Sequence, residues 1–153
     1  MVAKRVKGGT RVLTGQIKSG TYDGVPNRIQ LFDGEFTTGY RIVDFKIAPI
    51  TITFSREANA KITTEPKSTV TQWHWDDVQE LAWAYWGQDK YLDTRSWTRP
   101  DNMAVEDLYV SVYDQTGDGV TWNYQITLEK YEFPSWDGAG ILVGNLSQAG
   151  PSS

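Results

Sequence analysis

The chain has 153 residues, a formal net charge of −4 and no cysteine, which excludes disulfides, thiolate nucleophiles and cysteine metal sites. Apolar residues make up 39% and aromatic residues 13%, which excludes disorder as the state of the whole chain and predicts one domain. The sequence has neither a run of about 18 apolar residues nor an apolar leader, so we expect a soluble, unexported protein without membrane contact.

The two ends of the chain carry opposite charge. Residues 1–11 contain Lys4, Arg5, Lys7 and Arg11 and no acid, whereas residues 101–153 contain eight acids and one base. This asymmetry predicts a basic N-terminal arm, residues 1–11, that reaches an acidic neighbouring subunit; a solvated, fraying end is the alternative. Four basic residues on a chain of pI ≈ 4.9 do not indicate a dedicated nucleic-acid binder.

Apolar residues mostly alternate with polar ones, and turn residues interrupt them at short intervals. This pattern predicts an all-β domain, an antiparallel β-sandwich or jelly roll, over residues 12–135. The clearest strand is 41–47, where Val43, Phe45 and Ile47 share one face, and Pro49 ends it. Further strands are predicted at 11–18, 28–32, 50–54 and 60–64.

The segment 78–86 departs from the period-two pattern. Its apolar residues have helical spacing, Asp77 with Glu80 matches a capping box, and Gly87 follows as a terminator. We therefore expect one short amphipathic helix here, with Trp83 pointing away from the apolar stripe and into solvent or onto a partner.

The C-terminal half contains two long alternating segments, 108–113 and 122–128, separated by the turn 114–119. Their spacing predicts a β-hairpin with Trp122 in the core beside Ile126 and Leu128. Residues 136–153 form a C-terminal segment in which glycines weaken a possible helical turn, and which ends in a loose tail.

Five of the seven tryptophans lie between Trp73 and Trp97. Such a cluster forms either one end of a core or an exposed contact face. As a subunit interface, the face would add Trp83, Tyr91 and Trp97 to the four basic residues of the arm. As a sugar-stacking face, it would use Trp73, Trp75 and Trp83.

No residue pattern indicates catalysis, a metal or a cofactor. The carboxylates Asp76, Asp77 and Glu80 stand beside the aromatics, but their spacing fits helix capping better than the paired acids of a glycosidase. His74 is the only histidine, and no nucleophile motif accompanies it. We therefore expect no catalytic residue, no metal site and no cofactor.

The stretches 39–45, 101–110, 123–132 and 138–148 resemble small all-β virion structural proteins of marine and environmental bacteriophages. The resemblance covers about half of the chain. It implies a non-enzymatic β-sandwich or jelly-roll subunit that assembles in many copies in the host cytoplasm and contacts itself and other virion proteins. A carbohydrate-binding or receptor-binding module that uses exposed aromatics is the alternative.

Overall fold

The computed structural model describes residues 4–19, 27–31, 37–51, 56–66, 71–88, 91–115 and 119–133. These residues contain eight β-strands and no helix. In chain order the strands are β1 (Lys4–Lys18), β2 (Asn27–Ile29), β3 (Thr38–Pro49), β4 (Arg56–Thr63), β5 (Glu80–Gln88), β6 (Leu92–Thr98), β7 (Leu108–Asp114) and β8 (Thr121–Glu132).

The strands form two antiparallel sheets that pack face to face as a β-sandwich. One sheet has three strands in the order β1-β8-β3, and the other has five in the order β2-β7-β4-β5-β6. The predicted all-β class is therefore confirmed. Strand β3 lies across β5 and β6 of the opposite sheet.

The core lies between the sheets and is built by alternate residues of each strand. On β8, Trp122, Ile126 and Leu128 are fully buried, as the alternation predicted. The five-stranded sheet supplies small and β-branched partners: Ala58, Ala60, Ile62, Ala82, Ala84, Val110 and Val112. The predicted position of Trp122 in the core is confirmed.

A β-bulge changes the predicted facing of β3. Its pairing with β8 shifts register between Ile42 and Asp44, so Ile42 and Phe45 are both buried although they are three residues apart. Val43 lies in the bulge and is exposed. The prediction that Val43 shares the buried face is therefore wrong, whereas the strand does end at Pro49.

The predicted helix at 78–86 is wrong, because β5 occupies this segment. β5 is hydrogen-bonded to β4 on one side and β6 on the other, and both of its faces are covered over most of its length. A strand buried on both faces shows no alternation of apolar and polar residues. The apparent capping signal belongs to a turn, in which Asp77 Oδ1 accepts a hydrogen bond from Gln79 N–H.

The predicted hairpin is also wrong, since its two strands lie in different sheets. β7 pairs with β2 and β4, and β8 pairs with β1 and β3. The inward residues of both strands nevertheless match the prediction, because alternation reports facing and does not report the pairing partner. Residues 52–55, 116–118 and 136–153 lie outside the described part of the chain, so the predicted strand 50–54 is only partly covered.

The basic segment belongs to the sandwich from Lys4 onward. Lys4 and Arg5 pair with Glu132 and Tyr131 of β8, and the register shifts before Thr10. The predicted arm is therefore, over residues 4–11, the first half of edge strand β1.

Candidate functional site

The outer face of the five-stranded sheet carries the aromatic residues. Because Ala82 and Ala84 point into the core, their neighbours Trp83 and Tyr85 point outward. The register places Trp97 of β6 opposite Trp83 and places Lys61 of β4 on the other side of Trp83.

Residues 71–79, which we call the covering segment, lie over one half of this outer face. Lys61 Nζ donates to Gln72 O at 3.0 Å, and His74 N–H donates to Glu80 Oε1 at 2.8 Å. These bonds join the covering segment to strands β4 and β5. As a result, Lys61 and Trp83 are buried although they face away from the core.

A buried ion pair anchors this half of the face. Lys61 Nζ lies 3.1 Å from Glu80 Oε2, and the two side chains are only 2% and 1% exposed. The other carboxylate oxygen accepts from the indole N–H of Trp83 at 3.0 Å. Because both charges are paired and hydrogen-bonded, the cost of removing them from water is offset.

Arg99 fixes the same segment from the end of β6. Its guanidinium donates to the carbonyl oxygens of Trp75, Asp77 and Glu80 at 2.7, 2.6 and 3.0 Å. It also lies 5.7 Å from the centre of the Trp83 ring, within cation–π range. One side chain thereby holds the aromatic segment against the sheet.

Four tryptophans meet at this point. The ring centres are 5.5 Å apart for Trp73 and Trp97, 5.4 Å for Trp75 and Trp83, and 5.9 Å for Trp75 and Trp97. Trp75 is 53% exposed and Trp83 only 3% exposed. The prediction that Trp83 is exposed is therefore wrong, and it lies beneath the cluster as support. Trp73 and Trp75 belong to the covering segment and not to a strand.

The other half of the outer face is uncovered within the described residues. We call it the open shelf, and its residues are exposed or half-buried except for Gly87. It consists of Glu57 and Asn59 on β4, Tyr85 and Gly87 on β5, Asp93 and Arg95 on β6, and Tyr113 on β7.

Tyr85 is the central aromatic residue of the open shelf. A Cβ atom on Gly87 would meet its hydroxyl oxygen at 2.3 Å, so the ring leans along the strand over this glycine. Partial burial raises the pKa of Tyr85, and the Glu57 carboxylate raises it further through its charge and a hydrogen bond. The shelf thus has one ring held in place at its centre.

Strand β1 offers a different feature, a long free edge. Ser19, directly after β1, donates its N–H to the carbonyl oxygen of Val120, directly before β8, at 2.8 Å, so the backbone groups of Ser19 point toward the β8 side. In an antiparallel pair, alternate residues direct their backbone groups toward the partner strand, and the residues between them direct theirs away. The residues whose backbone points away from β8 are therefore Thr10, Val12, Thr14, Gln16 and Lys18. Within the described residues, no strand pairs with this side of β1.

The other edge of this sheet, at β3, is partly covered, in contrast to the open edge at β1. Tyr40 and Ala104 exchange both backbone hydrogen bonds at 2.8 Å. Asn102 continues the pairing with its side chain, whose Oδ1 accepts from Ile42 N–H at 2.7 Å and whose Nδ2 donates to Ile42 O at 3.0 Å. The amide acts as a short substitute for a neighbouring strand.

The predicted interface residues do not form one surface. Arg5 pairs with Glu129 of its own chain at 3.4 Å, and the Arg11 guanidinium lies 5.8 Å from the Tyr40 ring centre. Tyr91 is strongly exposed beside β6, and Trp97 lies in the tryptophan cluster. The side chains of Lys4 and Lys7 lie outside the described part. The free edge of β1 was not predicted from the sequence, because the alternation of side chains shows which face of a strand is buried and does not show which of its edges is paired.

A cleft of about 740 Å³ opens between the sheets at the end of β5 and the start of β6. Its lining includes Phe45, Ile47, Trp86, Leu92 and Tyr124. Trp86 packs against the core, so this cleft lies on the core side of the five-stranded sheet. Its lining also includes Tyr85 and Arg95, which the cleft shares with the open shelf.

The residues considered for catalysis have structural contacts. His74 Nε2 lies 3.2 Å from Gln72 Oε1, Glu80 is in the ion pair, and Asp77 shapes the turn before β5. Among the described residues, no three His, Cys, Asp or Glu side chains gather in a way that could hold a metal ion.

No protein-family model matches the chain, and no curated protein is significantly similar to it. In the described ranges, no helix is long and apolar enough to cross a membrane. The function is therefore inferred from the exposed aromatics, the open shelf and the free edge.

Proposed function

We propose that this protein is a non-enzymatic structural subunit of a virion, present in many copies, which associates with itself and with other capsid or tail proteins. The observation that carries this proposal is the free edge of β1. The stretches 39–45, 101–110, 123–132 and 138–148 resemble bacteriophage structural proteins. This resemblance is the reason for proposing a virion subunit that assembles in the host cytoplasm.

The composition of this edge favours pairing with another strand. Monomeric proteins protect long edge strands with lysine, proline or inward charges. From Thr10 to Gln16 the side chains of the outward face are uncharged: Thr10, Val12, Thr14 and Gln16. The one charged residue of this stretch, Arg11, lies on the other face, with its guanidinium 5.8 Å from the Tyr40 ring centre. Val12 is 56% exposed, so an apolar group stands in the middle of the edge. A strand from another subunit would satisfy backbone groups and cover Val12 at once.

Proline at position 14 tests this edge directly. Thr14 directs its N–H away from β8, so Thr14→Pro removes a donor from the free edge without removing a β1–β8 hydrogen bond. Thr14→Ala is the matched control, because it removes the same exposed side chain and keeps the N–H. The measurement is the mass of the purified protein by analytical ultracentrifugation and light scattering.

We expect the wild type and Thr14→Ala to form a large symmetric assembly and Thr14→Pro to remain small while keeping its circular dichroism spectrum. A wild type that stays monomeric at high concentration would overturn the assembly role. Assembly of Thr14→Pro equal to that of the wild type would remove β1 as its route.

A further inference from the structure

We propose that the open shelf, together with the adjoining Trp97 of the tryptophan cluster, is a binding site for a neutral saccharide, which stacks on Tyr85 and Trp97 and is hydrogen-bonded by Asn59, Glu57 and Arg95. This site goes beyond the assembly role and does not depend on it, because the shelf and the edge of β1 belong to different sheets.

The aromatic part of the site is set by the lean of Tyr85. Because Gly87 has no side chain, the Tyr85 ring extends along the strand above it and is only half-buried. Trp97 is the diagonal neighbour of Tyr85, since Arg95 is its direct partner across β5 and β6. Such diagonal residues are about 7–8 Å apart, and the lean of Tyr85 toward Gly87 and Asp93 carries its ring further from Trp97, so an oligosaccharide of several sugar units is needed to contact both rings.

The polar part of the site surrounds the same ring. Asn59 and Arg95 stand directly opposite Tyr85 on its two neighbouring strands. Glu57 and Asp93 hold the equivalent positions beside Gly87. The shelf thus combines amide and guanidinium donors with carboxylate acceptors around an apolar ring, and sugar rings present hydroxyl groups of both kinds together with apolar C–H faces.

Charge and polarity disfavour anionic and apolar ligands. Glu57 and Asp93 outnumber Arg95, and Arg95 already lies 3.2 Å from Asp93, so a phosphate or an acidic polymer is repelled. An apolar peptide would cover these polar groups without replacing their hydrogen bonds to water. A neutral polyhydroxyl ligand is not repelled by the carboxylates, and its hydroxyl groups replace the hydrogen bonds to water that are lost on binding.

The site is held by rigid elements. All its residues lie on β-strands, and the tryptophan cluster forms a wall at its edge, fixed by Arg99 and by the Lys61–Glu80 pair. Groups fixed before binding lose little conformational entropy when the ligand arrives.

Affinity electrophoresis of the full chain in native gels tests the proposal. The gels contain one of three neutral polysaccharides, dextran, laminarin or galactomannan, and separate gels contain dextran sulfate or poly-lysine. We expect at least one neutral polysaccharide to retard the protein more than either charged polymer does. Tryptophan fluorescence should change with the same polysaccharide, because Trp97 lies in the site.

Variants locate the binding. Tyr85→Ala should weaken retardation by at least about tenfold, the effect of losing one stacked ring, and Tyr85→Phe should keep most of it. Tyr91→Ala is the matched control, since Tyr91 is exposed outside the shelf. Asn59→Ala is the second shelf variant, and it should also weaken retardation; Asn59 does not line the cleft, so this variant separates the shelf from the cleft and does not depend on the folding of Tyr85→Ala.

Three results would overturn the proposal. The first is no retardation by any neutral polysaccharide, and the second is stronger binding to a charged polymer. The third is binding that survives Asn59→Ala, at a shelf residue that does not line the cleft, and is lost in Leu92→Ala, which would place the ligand in the cleft between the sheets. Because the mass of each variant is measured separately, loss of assembly is not mistaken for loss of saccharide binding.

Discussion

Trp122 illustrates how one residue can serve both the core and a buried hydrogen bond. Its ring is fully buried, and its indole N–H donates to Asp114 Oδ2 at 2.9 Å. Trp122→Ala removes the ring and should cost about 3–5 kcal/mol. Trp122→Phe keeps most of the apolar volume but removes this donor, and should cost about 1–3 kcal/mol.

Urea unfolding of both variants measures these costs. A substitution at an exposed position away from the edge of β1, Tyr91→Ala, is the control and should stay within about 0.5 kcal/mol of the wild type. A Trp122→Phe variant as stable as the wild type would contradict a contribution from the bond to Asp114.

The ionisation of Tyr85 reports the geometry of the open shelf. Partial burial and the Glu57 carboxylate both favour the neutral phenol, so the folded pKa is above the unfolded one. Any stability from this shift is therefore present below the unfolded pKa and is lost as the pH rises through the folded pKa.

Glu57→Gln removes the charge that acts on Tyr85 and keeps a hydrogen-bonding side chain. We expect the pKa of Tyr85 to fall but to stay above its ordinary value, because partial burial remains. The measurement is an NMR titration of the tyrosine ζ-carbons, with Tyr85→Phe to assign the signal. An unchanged Tyr85 pKa would show that Glu57 does not act on it.

At the scale of elements, the Lys61–Glu80 pair joins strands β4 and β5 to the covering segment. Lys61→Met leaves the buried carboxylate without its cation, which should cost about 3–5 kcal/mol. The double variant Lys61→Met/Glu80→Gln removes both charges and keeps an acceptor for His74 N–H and Trp83 Nε1–H. It should be more stable than Lys61→Met alone.

Chemical unfolding of the single and double variants decides this point. If the costs of the two substitutions simply added, the double variant would be less stable than Lys61→Met alone. That result would show that the two charges do not act as a unit.

Asn102 is the corresponding element-scale residue on the other sheet. It makes two hydrogen bonds with the backbone of Ile42 and donates a third to Arg99 O at 2.6 Å. Asn102→Ala leaves buried groups at the β3 edge unpaired and should cost about 1–3 kcal/mol. Hydrogen exchange at Ile42 N–H should accelerate more than exchange in β7, and equal acceleration in both strands would contradict a local role.

The strands differ in how well the sequence predicted them. β8 has one face toward the core, so its buried residues follow from alternation alone. β5 is buried on both faces, and its apolar residues fit helical spacing as well as strand pairing. The bulge at Val43 leaves no compositional signal, since it is set by the register with β8.

At the scale of the whole molecule, charge and backbone make separable contributions to assembly. Replacing Lys4, Arg5 and Lys7 with glutamine removes basic charge from the start of β1, keeps its backbone pairing with β8, and should weaken assembly most at low salt, where charges act over about 10 Å or more. The effect of Thr14→Pro should instead be the same at low and high salt, because it blocks a backbone bond.

Light scattering of both variants across a salt series tests this difference. Assembly of the glutamine variant that matches the wild type at every salt concentration would remove the basic residues from the interface.

The candidate site was only partly predictable. The cluster from Trp73 to Trp97 was evident from composition, but which member is exposed depended on the covering segment. Trp83 lies under Trp75 and is tied to Glu80, a contact that a helical reading of 78–86 could not show. The open shelf consists of side chains from four strands, brought together only by their register.

The sequence by itself determined the all-β class and the inward residues of β7 and β8, because a half-buried strand must alternate apolar and polar side chains. The pairing of the strands, the burial of Trp83 and the open edge of β1 followed from the fold and not from the residue pattern. These features depend on contacts between residues far apart in the chain, such as the strand pairing of Lys4 with Glu132 and the hydrogen bonds of Asn102 with Ile42, and such pairing leaves no trace in composition.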